Sequence, residues 1–246
     1  DLQHDHGELE PVRIAQEEYC LACKRFDQLV HDAAAQNLHL VLAVDRAGIV
    51  GEDGETHQGV FDVTILNSIP NTTIYSPCYF DELEASLADA INKDKGLAAV
   101  RYPRGAEPEK PEDFNYLSTD FTVYGNPNAS RLIVTYGRLF AQAVKAKQKL
   151  SSAGIECCIL KLCRIKPINP EAVRFASNFR KVHFFEEGMR NGSVAESFES
   201  ELHKMNFEGK YGMTAIEDTF ILHSKDNQAL HALGLDADGM CNIMRK

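Results

Sequence analysis

The chain has 246 residues, of which 44% are hydrophobic, and its formal net charge is -10 at pH 7. This length and hydrophobic content exclude a disordered chain and suffice for one large domain or two ordinary ones. The acidic balance argues against a nucleic-acid or anionic-membrane surface, because both require clustered Lys and Arg side chains.

The sequence has no run of about 18 apolar residues, so we expect no membrane span. The first ten residues, DLQHDHGELE, lack the charged and then apolar layout of a signal peptide. Seven cysteines are spread along the chain, an odd count that fits a reducing compartment better than a disulfide framework. Cys20 and Cys23 have CxxC spacing, but no second pair follows, so we favour buried helix residues over a metal site. We therefore expect a soluble, cytoplasmic protein without a metal site of its own.

The first part of the chain alternates between strand and helix patterns. The segment 61–69 is apolar but has no clear period, and the segment after it supplies turn residues. The other segments have the periodicity of a helix over 17–36, a buried strand over 38–44, a strand over 72–77, a helix from Asp81 and a buried strand over 97–102.

Residues 103–130 differ in composition, with four prolines and acidic clusters, as expected of a connection between domains. The alternation then resumes, with strands over 131–137, 155–162 and 181–187 and helices over 139–154, 169–179 and 193–205. The fold class is therefore α/β, with two domains that each contain a mainly parallel sheet flanked by helices. We place these domains at 1–115 and 131–246, joined by a linker at 116–130.

The loop DRAGIVGEDGETHQGVFD, residues 45–62, directly follows the predicted strand 38–44. Ligands of open parallel sheets bind at the carboxyl ends of the strands, where this loop begins. Glycines permit close backbone approach, and Arg46 offers a planar set of donors for phosphate or carboxylate. Asp53 and His57 can meet across the turn, and a carboxylate beside an imidazole suits proton transfer. On pattern alone, a simple surface turn explains the loop equally well.

A second strand end carries arginines, in RYPRG at 101–105. Arg101 and Arg104 can both face the cleft beside the glycine-rich loop. The alternative is a salt-bridged domain edge next to the acidic linker.

Several motifs together resemble one enzyme family: DRAGIVGEDGETHQGVFD with the following IPN, then VRYPRG, KPINPEA and EEGMRNGSVAESF. From about Phe26 to its end, the chain resembles the carboxyl-terminal part of 1-deoxy-D-xylulose-5-phosphate synthases, which are transketolase-like thiamine diphosphate enzymes. The resemblance implies a pyrimidine-binding-like domain, incomplete at its start, followed by a transketolase C-terminal-like domain. It also implies condensation of pyruvate with glyceraldehyde 3-phosphate, with loss of carbon dioxide, to 1-deoxy-D-xylulose 5-phosphate.

The resemblance also implies roles for individual residues. Arg46 and an arginine of VRYPRG, with Arg104 as first choice and Arg101 as second, would bind the substrate phosphate. Asp53 and His57 would face the substrate as the catalytic residues. Leu21 and Phe26 would contact thiamine diphosphate, which these enzymes use together with Mg²⁺.

The sequence departs from the family pattern where the cofactor is concerned. The AEQH-type motif does not occur, and its nearest equivalent is IAQEE at 14–18. Glu17 or Glu18 could stand in for the family's glutamate, but acids on a helix surface explain both more simply. The GDG triplet of the magnesium and diphosphate site does not occur. We therefore expect the isolated chain to be inactive, and to work as a homodimer or paired with a chain that supplies the diphosphate-binding domain. A split subunit and a truncated portion both fit this pattern. The alternative from another class is a non-catalytic remnant that binds a phosphate or a partner protein.

Overall fold

The computed structural model describes residues 13–17, 26–114 and 119–246, with only the backbone described for 13–17. Over these residues the chain forms two five-stranded sheets flanked by helices, as predicted. No helix within these ranges is long and apolar enough to cross a membrane.

The first sheet has the strand order β1-β2-β4-β3-β8, in which the first four strands are parallel and β8 is antiparallel. Its central strands are almost entirely apolar because helices cover both faces. Its strands are β1 (Arg13–Glu17), β2 (Leu40–Val44), β3 (Thr73–Tyr75), β4 (Leu97–Arg101) and β8 (Arg164–Lys166).

The second sheet has the order β10-β9-β6-β7-β5 and the same design, with four parallel strands and one antiparallel edge strand, β5. The segment 116–130, predicted to be a linker, contains this edge strand. The strands are β5 (Phe121–Gly125), β6 (Arg131–Tyr136), β7 (Cys158–Leu162), β9 (Lys181–Met189) and β10 (Lys210–Ile216).

Helices connect the strands and cover the sheets. Side chains cap α5 and α6 at their starts, where Asn169 and Ser193 accept hydrogen bonds from backbone N–H groups of the first turn. The helices are α1 (Phe26–Gln28), which continues as a π-helical segment (Leu29–Ala34), α2 (Asp62–Asn67), α3 (Phe80–Asn92), α4 (Leu139–Ser152), α5 (Pro170–Ala176), α6 (Val194–Lys204), α7 (Asp226–Ala232) and α8 (Ala237–Arg245).

The predicted elements differ from the structure at two places in the first part of the chain. The helix predicted from residue 17 is wrong at its start, because Glu17 ends β1 and lies opposite Val44 in the parallel pair with β2. Among the described residues, the helix begins only at Phe26. The segment without a clear period, 61–69, contains helix α2.

The two halves of the chain share strands and core. Strand β8 comes from the second half but pairs with β3, and so completes the first sheet. Deeper in the molecule, the ammonium group of Lys161 on β7 pairs with the carboxylate of Glu82 on α3, with side chains 1% and 0% exposed. The rings of Tyr79, Phe114 and Phe140 surround this ammonium at 5.8, 5.6 and 5.5 Å from their centroids. The halves are therefore joined by a buried charge pair as well as by apolar packing.

Candidate functional site

The glycine-rich loop after β2 is closed at its base by two glycines. The backbone N–H of Gly48 donates to the carbonyl of Gly59 at 2.6 Å, and the N–H of Gly59 donates back at 2.8 Å. Between them the chain makes two 3₁₀ turns, Gly51–Asp53 and Glu55–His57. A Cβ at Gly59 would lie 1.9 Å from the carbonyl oxygen of Arg46, so this closure requires glycine.

A buried glutamine fills the inside of the loop. Gln58, 2% exposed, accepts a hydrogen bond from the N–H of Val50 at 2.8 Å. Its amide donates to the carbonyls of Val50 and Gly54 at 3.1 and 2.9 Å. One side chain thus satisfies backbone groups that have no strand partner, and the charged residues of the loop are left at its outer surface.

Three predicted site residues meet at the rim of this loop. A guanidinium nitrogen of Arg104, Nη1, lies 2.7 and 2.9 Å from the two carboxylate oxygens of Asp53. The Nε of Arg46 lies 4.0 Å from the same carboxylate. Their side chains are 50%, 25% and 37% exposed for Arg104, Asp53 and Arg46. Two guanidinium groups therefore lie near one carboxylate, and both are partly open to solvent.

Arg46 owes its position to an unusual backbone conformation. Its φ is +58°, in the left-handed region that non-glycine residues rarely adopt. Asp45 supports this conformation, because its carboxylate accepts the N–H of Arg46 at 2.8 Å. Such strain is often found at functional sites.

The expected contact between Asp53 and His57 is not formed, although both residues lie in the described part of the chain. The carboxylate of Asp53 is held by Arg104 instead. The ring of His57 is exposed, and its Nδ1 lies 2.9 Å from the hydroxyl of Thr56. The two side chains thus occupy the same rim as separate groups.

The other arginine of RYPRG points into the protein. Arg101 is 3% exposed and donates to the two carboxylate oxygens of Asp62 at 2.8 and 3.2 Å and to the hydroxyl of Ser76 at 3.1 Å. Its guanidinium carbon lies 5.3 Å from the ring centroid of Tyr136. Burial lowers the pKa of Arg101, but the attraction of Asp62 outweighs it and the net shift is upward. Arg101 therefore fixes the end of β4 from inside, whereas Arg104 presents its charge to solvent.

Of the two residues predicted at the cofactor, Leu21 lies outside the described residues. Phe26 opens α1, where it is half-buried and packs against the main hydrophobic core. No cluster of three or more His, Cys, Asp or Glu side chains suited to a metal ion occurs in 26–114 and 119–246.

Sequence reasoning missed a set of residues that hold the loop from the second half. Arg138, just after β6, donates from Nε to both carboxylate oxygens of Glu187 at 3.0 Å and from Nη1 to Asp226 at 2.9 Å. Its Nη2 donates to the carbonyl of Ile49 at 2.5 Å. The rule that predicted a site after β2 applies equally to Arg138, since it follows the carboxyl end of a parallel strand.

A cleft of about 810 Å³ opens beside Arg104. It runs between the segment 103–113 and helices α4 and α7. Its walls carry four basic residues (Arg104, Lys110, Arg138 and Lys145) and four acidic ones (Glu109, Glu112, Asp113 and Asp226). The volume suits a small molecule, and the basic side chains offer donors to a phosphate group on it.

Two family models match the chain: "Transketolase, pyrimidine binding domain" over residues 21–109 and "Transketolase, C-terminal domain" over residues 125–240. Curated relatives named 1-deoxy-D-xylulose-5-phosphate synthase match about nine-tenths of the chain. The relative from Clostridium acetobutylicum is 34% identical over 89% of this chain, that from Clostridium perfringens 36% over 90%, and that from Helicobacter pylori 32% over 91%. The chain spans 36% of the length of each of these relatives.

A solved structure shares the fold. It is described as "Split gene transketolase, inactive beta4 tetramer", and it matches with a TM-score of 0.77 at 19% sequence identity. The match covers 94% of this chain and 75% of the other.

Proposed function

We propose, since this chain belongs to the transketolase family of thiamine diphosphate-dependent transferases, that it is a portion of a 1-deoxy-D-xylulose-5-phosphate synthase. The proposed reaction joins pyruvate and glyceraldehyde 3-phosphate, with loss of carbon dioxide, to 1-deoxy-D-xylulose 5-phosphate. This product would supply the synthesis of isoprenoids, thiamine and pyridoxal. The observation that carries the proposal is the meeting of Arg46, Asp53 and Arg104 at the rim of the loop.

In this proposal the two exposed arginines bind the phosphate of the aldehyde substrate. Arg46 and Arg104 both lie near the carboxylate of Asp53, so a phosphate that takes the place of this carboxylate contacts both guanidinium groups. Arg101 is excluded from this direct role, because Asp62 and Ser76 already take up its donors.

Asp53 and His57 exchange protons with the substrate. His57 has Nδ1 engaged by the hydroxyl of Thr56, which leaves Nε2 for the substrate. When the substrate phosphate binds Arg104, it takes the place of the Asp53 carboxylate and so releases it. On the loop rim His57 is exposed and Asp53 is partly exposed, so neither needs a rearrangement of the core to reach a ligand.

Thiamine diphosphate, with Mg²⁺, supplies the electron sink for decarboxylation when it is bound. Phe26 would contact its aminopyrimidine end, and the half-buried position of this ring is compatible with that contact. Residues 1–246 contain no GDG triplet, so we assign the diphosphate and the metal to residues outside this sequence. On their own, residues 1–246 should therefore turn over negligibly.

We further propose that the protein works in the cytoplasm as a homodimer or paired with a chain that carries the diphosphate-binding domain. The five cysteines of the described part are all free and buried, which supports a reducing compartment. The neighbour described as an inactive tetramer of a split-gene transketolase supports the expectation that such a portion associates without turning over.

The test is a calorimetric titration of the chain with glyceraldehyde 3-phosphate. We expect Arg104→Gln and Arg46→Gln each to weaken binding at least tenfold, because each removes one of the two cations. The matched control is Arg174→Gln, which breaks an exposed ion pair with Glu171 on α5. Equal affinity in Arg104→Gln and Arg174→Gln would contradict the proposal.

A second arm separates the enzyme from the remnant. The chain is mixed with the amino-terminal part of a relative, and pyruvate-dependent release of carbon dioxide is measured. Activity that is lost in His57→Ala supports the catalytic assignment. Binding of the aldehyde phosphate without any activity in the mixture would favour the non-catalytic alternative.

A further inference from the structure

We propose that Arg138, Glu187 and Asp226 form a clamp through which the second half of the chain positions the glycine-rich loop for its ligand. The identity of the ligand rests on the proposed function, but the clamp itself rests on contacts within the chain. The three side chains are positioning residues, since they act on the loop backbone and not on the substrate.

Each member of the clamp bonds a different backbone group of the loop. Glu187 accepts the N–H of Ile49 at 2.7 Å, and Arg138 donates to the carbonyl of the same residue at 2.5 Å. Asp226 accepts the N–H of Gly51 at 2.8 Å. Because these contacts are made to backbone groups, they fix the path of the loop whatever its side chains do.

The clamp members also hold one another. The Nε and Nη2 of Arg138 both donate to Glu187, and Nη1 donates to Asp226. The side chain of Arg138 is 17% exposed and that of Glu187 only 6%, whereas that of Asp226 is 39% exposed, so the network is shielded from water at Glu187 and open to it at Asp226. A planar guanidinium can satisfy two carboxylates and a carbonyl at once, which an ammonium cannot do with the same geometry.

Close packing shows that the loop is seated against the second half. A Cβ at Gly51 would lie 2.3 Å from the carbonyl oxygen of Ser224, and one at Gly48 would lie 2.6 Å from the carboxyl carbon of Glu187. The N–H of Ser224 donates to the carbonyl of Gly51 at 3.2 Å. Both glycines therefore allow an approach that a side chain would prevent.

The clamp ends next to the ligand-binding rim. Gly51, which Asp226 holds, begins the same 3₁₀ turn that ends at Asp53. Asp226 and Arg138 also line the cleft beside Arg104. Release of Gly51 should therefore let Asp53 move relative to Arg104.

Charge alone makes the opposite prediction, which permits a sharp test with Asp226→Ala. Removal of a carboxylate from the cleft makes it more positive, so a purely electrostatic role predicts tighter binding of an anion. Loss of a positioning contact predicts weaker binding. The matched control is Asp238→Ala, which removes another aspartate from the first turn of a helix and breaks its ion pair with Lys149.

Two measurements are made on the full chain. Hydrogen exchange at the amide of Gly51, which donates to Asp226, should be at least about tenfold faster in Asp226→Ala and unchanged in Asp238→Ala. The Kd for glyceraldehyde 3-phosphate should rise about five- to tenfold in Asp226→Ala only. Unchanged exchange, or a lower Kd, would overturn the clamp.

The two proposals fail in different ways. If the wild-type chain does not bind glyceraldehyde 3-phosphate, the proposed function fails, and the exchange measurement alone still decides on the clamp. If Arg104→Gln abolishes binding while Asp226→Ala changes neither exchange nor Kd, only the clamp is wrong.

Arg138→Lys is a second variant, which keeps the charge but cannot make the same set of contacts. It should raise exchange at Ile49 as well.

Discussion

Two ion pairs of this chain have similar partners but opposite surroundings. Lys161 and Glu82 lie in the seam between the halves, 1% and 0% exposed, and aromatic rings enclose the ammonium group. Arg104 and Asp53 lie at the rim of the glycine-rich loop, 50% and 25% exposed. The first pair is shut off from any ligand, and the second is open to one.

This difference in exposure distinguishes ion pairs that stabilise the fold from ion pairs whose members can bind a ligand instead. A charge buried without a partner costs several kcal/mol, so breaking a buried pair is strongly destabilising. An exposed pair contributes little to stability, because water replaces either partner at small cost. Arg101 with Asp62 belongs with the buried pair, and Arg138 with Glu187 lies between the two extremes.

The largest effect is expected for Lys161→Met. The substitution leaves the carboxylate of Glu82 buried without a cation, and we expect the free energy of unfolding to fall by about 3–5 kcal/mol. Urea denaturation followed by circular dichroism measures the change. The control is the double variant Lys161→Met with Glu82→Gln, which removes the orphan charge and should recover part of the loss. A loss below about 1 kcal/mol in the single variant would show that the pair is not structural.

A smaller loss is expected for Arg101→Lys. The lysine keeps the charge but replaces a two-point contact with Asp62 and a hydrogen bond to Ser76, so we expect a loss of about 2 kcal/mol. Affinity for glyceraldehyde 3-phosphate should change by less than about twofold, because Arg101 is buried away from the rim. A tenfold loss of affinity without loss of stability would instead place Arg101 at the phosphate.

A third case is an acid buried without a cation in contact. Burial raises the pKa of Glu186 to about 7, although it accepts hydrogen bonds from Tyr136 and from two backbone N–H groups at the start of α6. The folded state therefore keeps this proton up to about pH 7, whereas the unfolded state releases it above its ordinary pKa of 4.5. Stability should fall as pH rises across this window, by on the order of 3 kcal/mol.

The measurement is the free energy of unfolding of wild type and Glu186→Gln at several values of pH from 4.5 to 7.5. We expect the variant to lack this part of the slope. Parallel pH curves for the two proteins would show that Glu186 titrates normally in the fold.

The smallest effect on stability is expected for Arg104→Gln. The midpoint of urea unfolding should match that of wild type within error, since the pair with Asp53 is exposed. The same variant is expected to bind glyceraldehyde 3-phosphate at least tenfold more weakly. Arg104→Gln thus affects binding without affecting stability, whereas the effect expected of Lys161→Met is a loss of stability. A large loss of stability would place this pair with the structural ones.

The sequence was informative where a pattern is local. The central strands β2, β4 and β6 consist mainly of apolar residues, and the loop after β2 is marked by its glycines. The antiparallel strand β8 was missed, because three residues carry no usable period and its pairing with β3 is set by the tertiary fold.

The site was only partly predictable, for the same physical reason. Arg46 and Asp53 were expected after one strand and Arg104 after another, all facing the same cleft. The pairing of Arg104 with Asp53 depends on the turns of the loop. The separation of Arg101 from Arg104 depends on which side chain the end of β4 turns inward. Arg138 was overlooked because it contacts the loop across about 90 positions of sequence, as its bond to Ile49 shows.

The strand that crosses from the second half into the first sheet limits how the two parts can be exchanged between proteins. A hybrid that joined the first part of this chain to the second part of a relative would have to supply a β8 that fits β3. A first part produced without any second part would present an open strand edge, a template for pairing with other chains. In protein engineering the two sheets should therefore be exchanged together. Residues 164–166 belong to the first sheet, although they lie in the second half of the chain.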